Sequence, residues 1–485
     1  MTPIRTLWLS LVLLVTACGG AADPSPTPVQ DILLGIELPV PTFDHGPATT
    51  TDLQPDVGPT SFELGEVATV AGGAILDVHV PSEVAGATGL GVKVRTPDVP
   101  RYGTPAPVAI VVSGGWDGGN AEATALPFGD LGVTSVHFNF PGGGQGALRS
   151  GGTFDTRGPA CRKALRDVVG YVMGTTKDLE GKTFAERIAP VTVASVGLVG
   201  LSNGGNLVVT ALDLEAKALG DIAWAVLWES PLGDGMPTAE AGAKTLPNGE
   251  GNPLTNAAYN PDTGAWATER LRWGPAIAVS IDGVKVSGGF YFDNDGNKKP
   301  TVTGAGPTGD FVVQPLSFEG KGYPSIRVLQ AAQQNGALPE PLPEHVPTLS
   351  AVEAFWKDRD GAQHLVGAAG GRPGRLWMLV ASELDHVQSA LDHPHVLGTY
   401  VGLRDAGATW VRLNPDAAYL PAGTAEPVDN EANRPLDHQT IRAALQPKTV
   451  KSSVSVPAAV AELSDRVLGG VLAVDLEAPI VVPAK

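Results

Sequence analysis

Gly200-Leu201-Ser202-Asn203-Gly204 sets a hydroxyl between two glycines, a spacing that does chemistry only in a very tight turn. An apolar run at 191–199 reads as a strand before it, and 206–219 reads as a helix after it. At a strand-to-helix junction this pattern describes a nucleophile elbow, whose flanking residues must be small because the turn is strained. Glycine meets that demand because it lacks a Cβ. The serine oxygen then stands clear of the sheet, at the positive end of the following helix. Ser202 is therefore the candidate nucleophile of a serine hydrolase.

The surrounding elements must hold that turn. Residues 66–96 alternate apolar and polar, as in Ile75-Leu76-Asp77-Val78-His79-Val80, the period of half-exposed antiparallel strands. Residues 107–112 and 134–140 are continuous apolar runs, as in strands buried on both faces; each ends in glycines, Ser113-Gly114-Gly115 and Pro141-Gly142-Gly143-Gly144. Cys161, Ala164, Leu165, Val168, Val169 and Val172 share one helical face that Gly174 ends, so Cys161 reads as a buried structural thiol. After the elbow, 222–227 reads as another buried strand, ending at Glu229.

Regularity fails over 231–347, which is rich in Gly, Pro, Asn and Asp and shows only short strand-like pieces at 276–281 and 284–292. A structureless loop of that length does not fit inside a domain, so the segment reads as an inserted cap. Order resumes where Ser350 and Glu353 form a capping-box pattern before a helix with Val352, Phe355 and Trp356. Residues 376–381 read as a buried strand, Pro394 opens a helix that Gly407 closes, and 409–413 form the last core strand. Helices at 440–445 and 456–468 complete the pattern. Strands alternating with helices after an antiparallel start imply an α/β fold, with a mostly parallel central sheet covered by helices on both faces. Ligands in such sheets bind at the carboxyl ends of the strands, where Ser202 lies. The expected division is signal peptide 1–17, tether 18–45, core 46–230 with 348–485, and cap 231–347.

The first residues suggest an address. Arg5 precedes an apolar stretch at 7–15 that is too short to span a bilayer. Val15-Thr16-Ala17-Cys18 then resembles a bacterial lipoprotein box, with cleavage before Cys18 and a lipid on its thiol. The alternative is an ordinary signal cut near Ala22. The expected location is the bacterial cell envelope, facing periplasm or exterior. Only Cys161 remains as a second cysteine, so an acylated Cys18 excludes an intrachain disulfide. A formal net charge of -18 argues against nucleic acid or anionic membrane as a partner of the protein body.

A serine hydroxyl needs a base within reach and a third group to orient that base. The order of elements resembles the α/β-hydrolase superfamily over roughly 66–447 outside the insertion, and most of all its dienelactone-hydrolase-like and prolyl-oligopeptidase-like branch. The resemblance implies a triad in the order Ser, acid, His. It places the acid after strand 376–381, in Ser382-Glu383-Leu384-Asp385-His386, with Asp385 the first choice and Glu383 or Glu229 the alternatives. It places the base after the last strand, where His438 alone of nine histidines lies. It also implies oxyanion donors from the N–H of Asn203 and from the loop after 112, where the family commonly has His-Gly-Gly. This chain has Ser113-Gly114-Gly115-Trp116, so Gly115 or Trp116 would donate.

The implied partner is a small-molecule ester or a peptide, and no cofactor is required. A peptidase and a non-catalytic ligand-binding lipoprotein on the same fold are the rival readings. His386, His393 and His395 lie close together but match no metal-ligand spacing, and no metal site is expected. Asp293-Asn294-Asp295-Gly296-Asn297 has its glycine at the wrong position for an EF-hand and reads as a tight hairpin turn. The aromatics Trp266, Trp273 and Phe290-Tyr291-Phe292 would line a substrate pocket or form the cap's own core.

Overall fold

The computed structural model describes residues 73–116, 118, 119, 121, 126–233, 240–242, 256–260, 264–301, 309–381, 394–415, 419 and 452–469, all within the compact unit His45–Lys485. The expected signal, Cys18 and the tether fall outside these residues, as does the helix expected at 440–445. No helix among the described residues is long and apolar enough to cross a membrane.

Eight strands form the central sheet: β1 (Ile75–Ser82), β2 (Gly86–Arg95), β3 (Pro105–Val112), β4 (Thr134–Phe138), β5 (Thr192–Leu201), β6 (Trp224–Trp228), β7 (Leu376–Val380) and β8 (Trp410–Leu413). Their order across the sheet is β1-β2-β4-β3-β5-β6-β7-β8. β2 runs antiparallel to both β1 and β4, and every later pairing is parallel. This is the strand order of the α/β-hydrolase fold. The expected mostly parallel sheet with an antiparallel start is what the chain forms.

Continuous apolar strands are needed because both faces of the sheet are covered. Val108, Ile110 and Val112 of β3, with Leu198 of β5, enter one cluster, where helices Pro159–Val172 and Gly204–Leu214 supply Cys161, Leu165, Val169, Leu207 and Ala211. The alternate residues Ala109, Val111, Val199 and Leu201 enter a cluster on the other face, against Val456, Ala459, Val460 and Leu463 of helix Ser452–Leu468. Charge also fastens that last helix. Arg412 of β8 meets the buried Glu462 at 2.5 Å, and Arg101 meets Asp465 at 2.7 and 2.6 Å. Breaking one partner of such a buried pair costs more than forming it gains, because a desolvated charge is left behind.

The insertion carries more structure than its composition suggested. One of its sheets pairs Leu271–Ile281, which starts before the piece read at 276–281, with Val284–Phe292, the piece read from sequence, and adds Phe311–Val312 as a third strand. Asp282 and Gly283 both take positive φ at the tip, as a two-residue hairpin turn with the right strand twist requires. Gly274 and Pro275 interrupted the alternation and hid the start of the first strand; the hairpin's register shifts between Ser287 and Gly289. Helix Ile326–Gln334 escaped the sequence reading, although Ser325 caps it by accepting from Val328 N–H.

Helix Leu349–Lys357, expected to restart the core, instead buries Val352, Phe355 and Trp356 in the same cluster as Trp266, Phe290 and Phe292. Its cap is Thr348, which accepts from Ala351 N–H at 3.3 Å, and not the Ser350–Glu353 box. The segment 293–301 is no tight hairpin turn either, since the partner of Phe292 is Phe311. Carboxylate oxygens of Asp293, Asp295 and Asp310 converge there within 4.8 Å. Asn297, Lys298 and Thr301 hydrogen-bond that group.

An insertion keeps its host fold only if its two ends stay together. Asn206, at the start of the helix behind the elbow, donates to Pro231 O at 3.3 Å and accepts from Gly361 N–H at 2.8 Å. Asp360 accepts from Gly233 N–H at 2.9 Å and from Ala362 N–H at 3.0 Å. Two buried side chains thus tie both ends of the cap to the base of the helix Gly204–Leu214.

Candidate active site

Ser202 follows the last residue of β5 and takes φ 50, inside the left-handed region. A non-glycine residue there costs on the order of 1–3 kcal/mol, so the surrounding contacts must impose it. They are visible on both sides. Ser202 N–H donates to Trp228 O at 2.8 Å, and Gly205 N–H donates to Ser202 O at 2.9 Å. A Cβ on Gly200 would stand 2.5 Å from Gly205 Cα, and one on Gly204 would stand 2.3 Å from Val112 O. The chain therefore turns within a gap that only glycine fits, and helix Gly204–Leu214 begins at once. Asn203 is helical at φ -57 and is buried directly after the serine, as the expected oxyanion donor must be.

The loop after β3 lies against this turn. A Cβ on Gly114 would meet Leu201 O at 2.9 Å and Ser202 Cβ at 3.1 Å. Gly115, just before Trp116, has φ 71, in the left-handed region that favours glycine. Trp116 packs against the cap cluster, edge to face with Trp356 at 5.7 Å. The predicted oxyanion loop is thus beside Ser202, with its tryptophan seated in the cap.

Of the three candidate acids, only Glu229 lies among the described residues. Leu201 pairs with Trp228, so Glu229 is the first residue past the neighbouring strand, level with Ser202. It also has positive φ, 46, and its N–H donates to Val380 O at 2.8 Å. With Ser230, Val380, His395 and Thr399 it lines a cavity of about 10 Å³, the size of a single water. Asp385, Glu383 and His438 fall outside the described residues, as do His386 and His393. His395 is buried on the first turn of helix Pro394–Asp405. A larger depression of about 540 Å³ runs along β1 past His79, Arg149 and Asp178, and none of the elbow residues line it.

Three residues of this edge went unread in the sequence. Asn414 closes β8 with φ 58, accepting from Ala381 N–H at 3.0 Å and donating its own N–H to Leu379 O at 2.7 Å. Arg157, 1% exposed, donates to Gly114 O at 2.7 Å and lies over the Phe140 ring at 4.9 Å. Arg359, 5% exposed, donates to Asp155 O and Thr156 O at 2.8 and 2.9 Å. The only signal for Arg157 was a lone cation ahead of a Gly-Pro helix start. Cys161 is buried as expected, and burial followed by Asp155 pushes its thiol well above the ordinary range, so it stays protonated.

A left-handed serine between β5 and its helix, under a glycine loop, is the nucleophile-elbow geometry of α/β-hydrolase-fold proteins. No protein-family model and no curated protein sequence matches the chain. Among solved structures it is similar to esterase Est22, at 14% identity and TM-score 0.35 over 72% of this chain and 73% of that one. It is also similar to the Pyrococcus furiosus esterase PF2001, at 12% identity and TM-score 0.33 over 73% and 88%. A third is the Pyrococcus horikoshii acylaminoacyl peptidase, at 12% identity and TM-score 0.34, where 70% of this chain spans only 36% of that one. Likeness at these values adds nothing to what the strand order establishes.

Proposed function

We propose that the protein is a serine hydrolase that cleaves a carboxylic ester of a small molecule through an acyl-enzyme. The observation that carries this reading is Ser202 at φ 50 between β5 and its helix, with Gly114 pressed against it. In the proposed reaction Ser202 Oγ attacks the ester carbonyl while His438 takes its proton. Asp385 holds the imidazole and stabilises its charged form, with Glu383 and Glu229 as alternatives. The N–H groups of Asn203 and of Gly115 or Trp116 receive the negative charge that develops on the carbonyl oxygen. Collapse breaks the bond to the alcohol, which leaves with the proton from His438. Water then repeats the attack on the acyl-enzyme, releasing the acid and restoring Ser202. Cys18 is the proposed lipid attachment point in the cell envelope, supported by the Val15-Thr16-Ala17-Cys18 sequence.

The parent protein is expected to hydrolyse p-nitrophenyl esters and to be labelled by a fluorophosphonate, and Ser202→Ala to abolish both. Full activity in that variant overturns the assignment. A parallel assay on peptide amides separates an esterase from a peptidase, and Cys18→Ser with detergent phase partition tests the anchor.

A further inference from the structure

The oxyanion loop is gripped from behind by a cation. Arg157 donates through Nη2 to Gly114 O at 2.7 Å, and its buried guanidinium is stacked over Phe140. In a trans peptide the C=O and the following N–H point in opposite directions. Fixing Gly114 O toward Arg157 therefore fixes the direction of Gly115 N–H. The charge also draws electron density toward Gly114 O, which makes that N–H a stronger donor.

Arg157 does not reach that place by itself. Thr156 and Arg157 both take positive φ, 53 and 61, an arrangement two successive non-glycine residues adopt only when held. Arg359 holds them, donating to Asp155 O and Thr156 O while its guanidinium stacks on Phe355 of the cap at 3.8 Å. Its third donor goes to Phe355 O at 2.9 Å. A continuous path thus runs from the cap core through Arg359 and the 155–156 carbonyls to Arg157 and the Gly114–Gly115 peptide.

We propose that Arg157 is a positioning residue that aims the Gly115 N–H at the oxyanion, and that Arg359 sets it from the cap. The proposal rests on the reading of Ser202 as nucleophile and of loop 114–116 as donor. Ser202→Ala tests that reading first: retained turnover removes it, and the proposal with it. With Ser202 established, the test is steady-state kinetics and trifluoromethyl-ketone inhibition for Arg157→Gln, Arg157→Lys and Arg359→Gln. Loss of a whole oxyanion donor costs about 10²–10³ in kcat, so a misaimed one should cost roughly 10- to 100-fold. KM should stay within about twofold, and ketone affinity should fall in parallel with kcat, because only the tetrahedral state is affected. Arg157→Lys keeps the charge and one donor and should recover part of the loss. If Arg157→Gln does not fold, the comparison of Arg157→Lys with Arg359→Gln carries the same split. Lowered thermal stability with the parent's kcat and ketone affinity overturns the proposal and leaves two structural arginines.

Discussion

Trp116 and Trp356 meet edge to face, 5.7 Å between centroids and 81° between planes, which joins the loop beside Ser202 to the core of the cap. Trp356 is 2% exposed and donates through Nε1 to Pro324 O at 2.7 Å, and Phe355 beside it stacks on Tyr323 at 4.1 Å. The cap is therefore a packed body resting on the loop after β3, with its ends tied at Asn206 and Asp360.

Trp356→Ala should destabilise the protein by about 3–5 kcal/mol, the usual cost of emptying an aromatic core site. Trp356→Phe keeps most of the ring and loses the bond to Pro324 O, for a cost of about 1–2 kcal/mol. Urea unfolding measures both. Equal losses in the two variants would mean that the indole N–H, and not ring packing, secures the cap.

The strand pattern was legible because burial on both faces writes continuous apolar runs such as Pro107-Val108-Ala109-Ile110-Val111-Val112 into the chain. Ser202 was legible because steric exclusion leaves glycine at 200 and 204. The cap was not. The first strand of its hairpin runs through Gly274-Pro275, which breaks the alternation, and its helix Ile326–Gln334 is short and capped by one serine. Arg157 and Arg359 act through backbone carbonyls distant in sequence, and such partners leave no spacing to read.

Glu229 and Asp385 compete for the role of the acid, and position gives the test. Glu229 stands level with Ser202, directly past the end of the neighbouring strand, with a strained backbone of its own. If Asp385 orients His438, Asp385→Asn should lower kcat by about 10⁴ while Glu229→Gln stays within about tenfold. The reverse pattern assigns Glu229. Losses of about 10⁴ in both would show that the two carboxyls act as one unit, since such effects are not additive.

Acid should weaken this fold through His137 in particular. The residue is 3% exposed on β4, paired across strands with Lys93 and Val111, and burial followed by Arg95 lowers its imidazole to about 3 from 6.5. Its folded form is thus neutral through most of the range where the unfolded form is charged. Because the folded value lies below the unfolded one, the unfolded state binds the extra proton. Stability is complete above 6.5 and is lost as pH falls from there toward 3. The loss amounts to at most about 1.4 kcal/mol per pH unit. Many carboxylates titrate in the lower part of that window, so the parent's slope alone is not diagnostic. The difference between parent and His137→Gln isolates the imidazole. In urea titrations between about pH 6 and pH 4, the variant should lose less stability than the parent by roughly one proton's worth of slope. Parallel slopes would mean that the buried imidazole takes up its proton without leaving the fold.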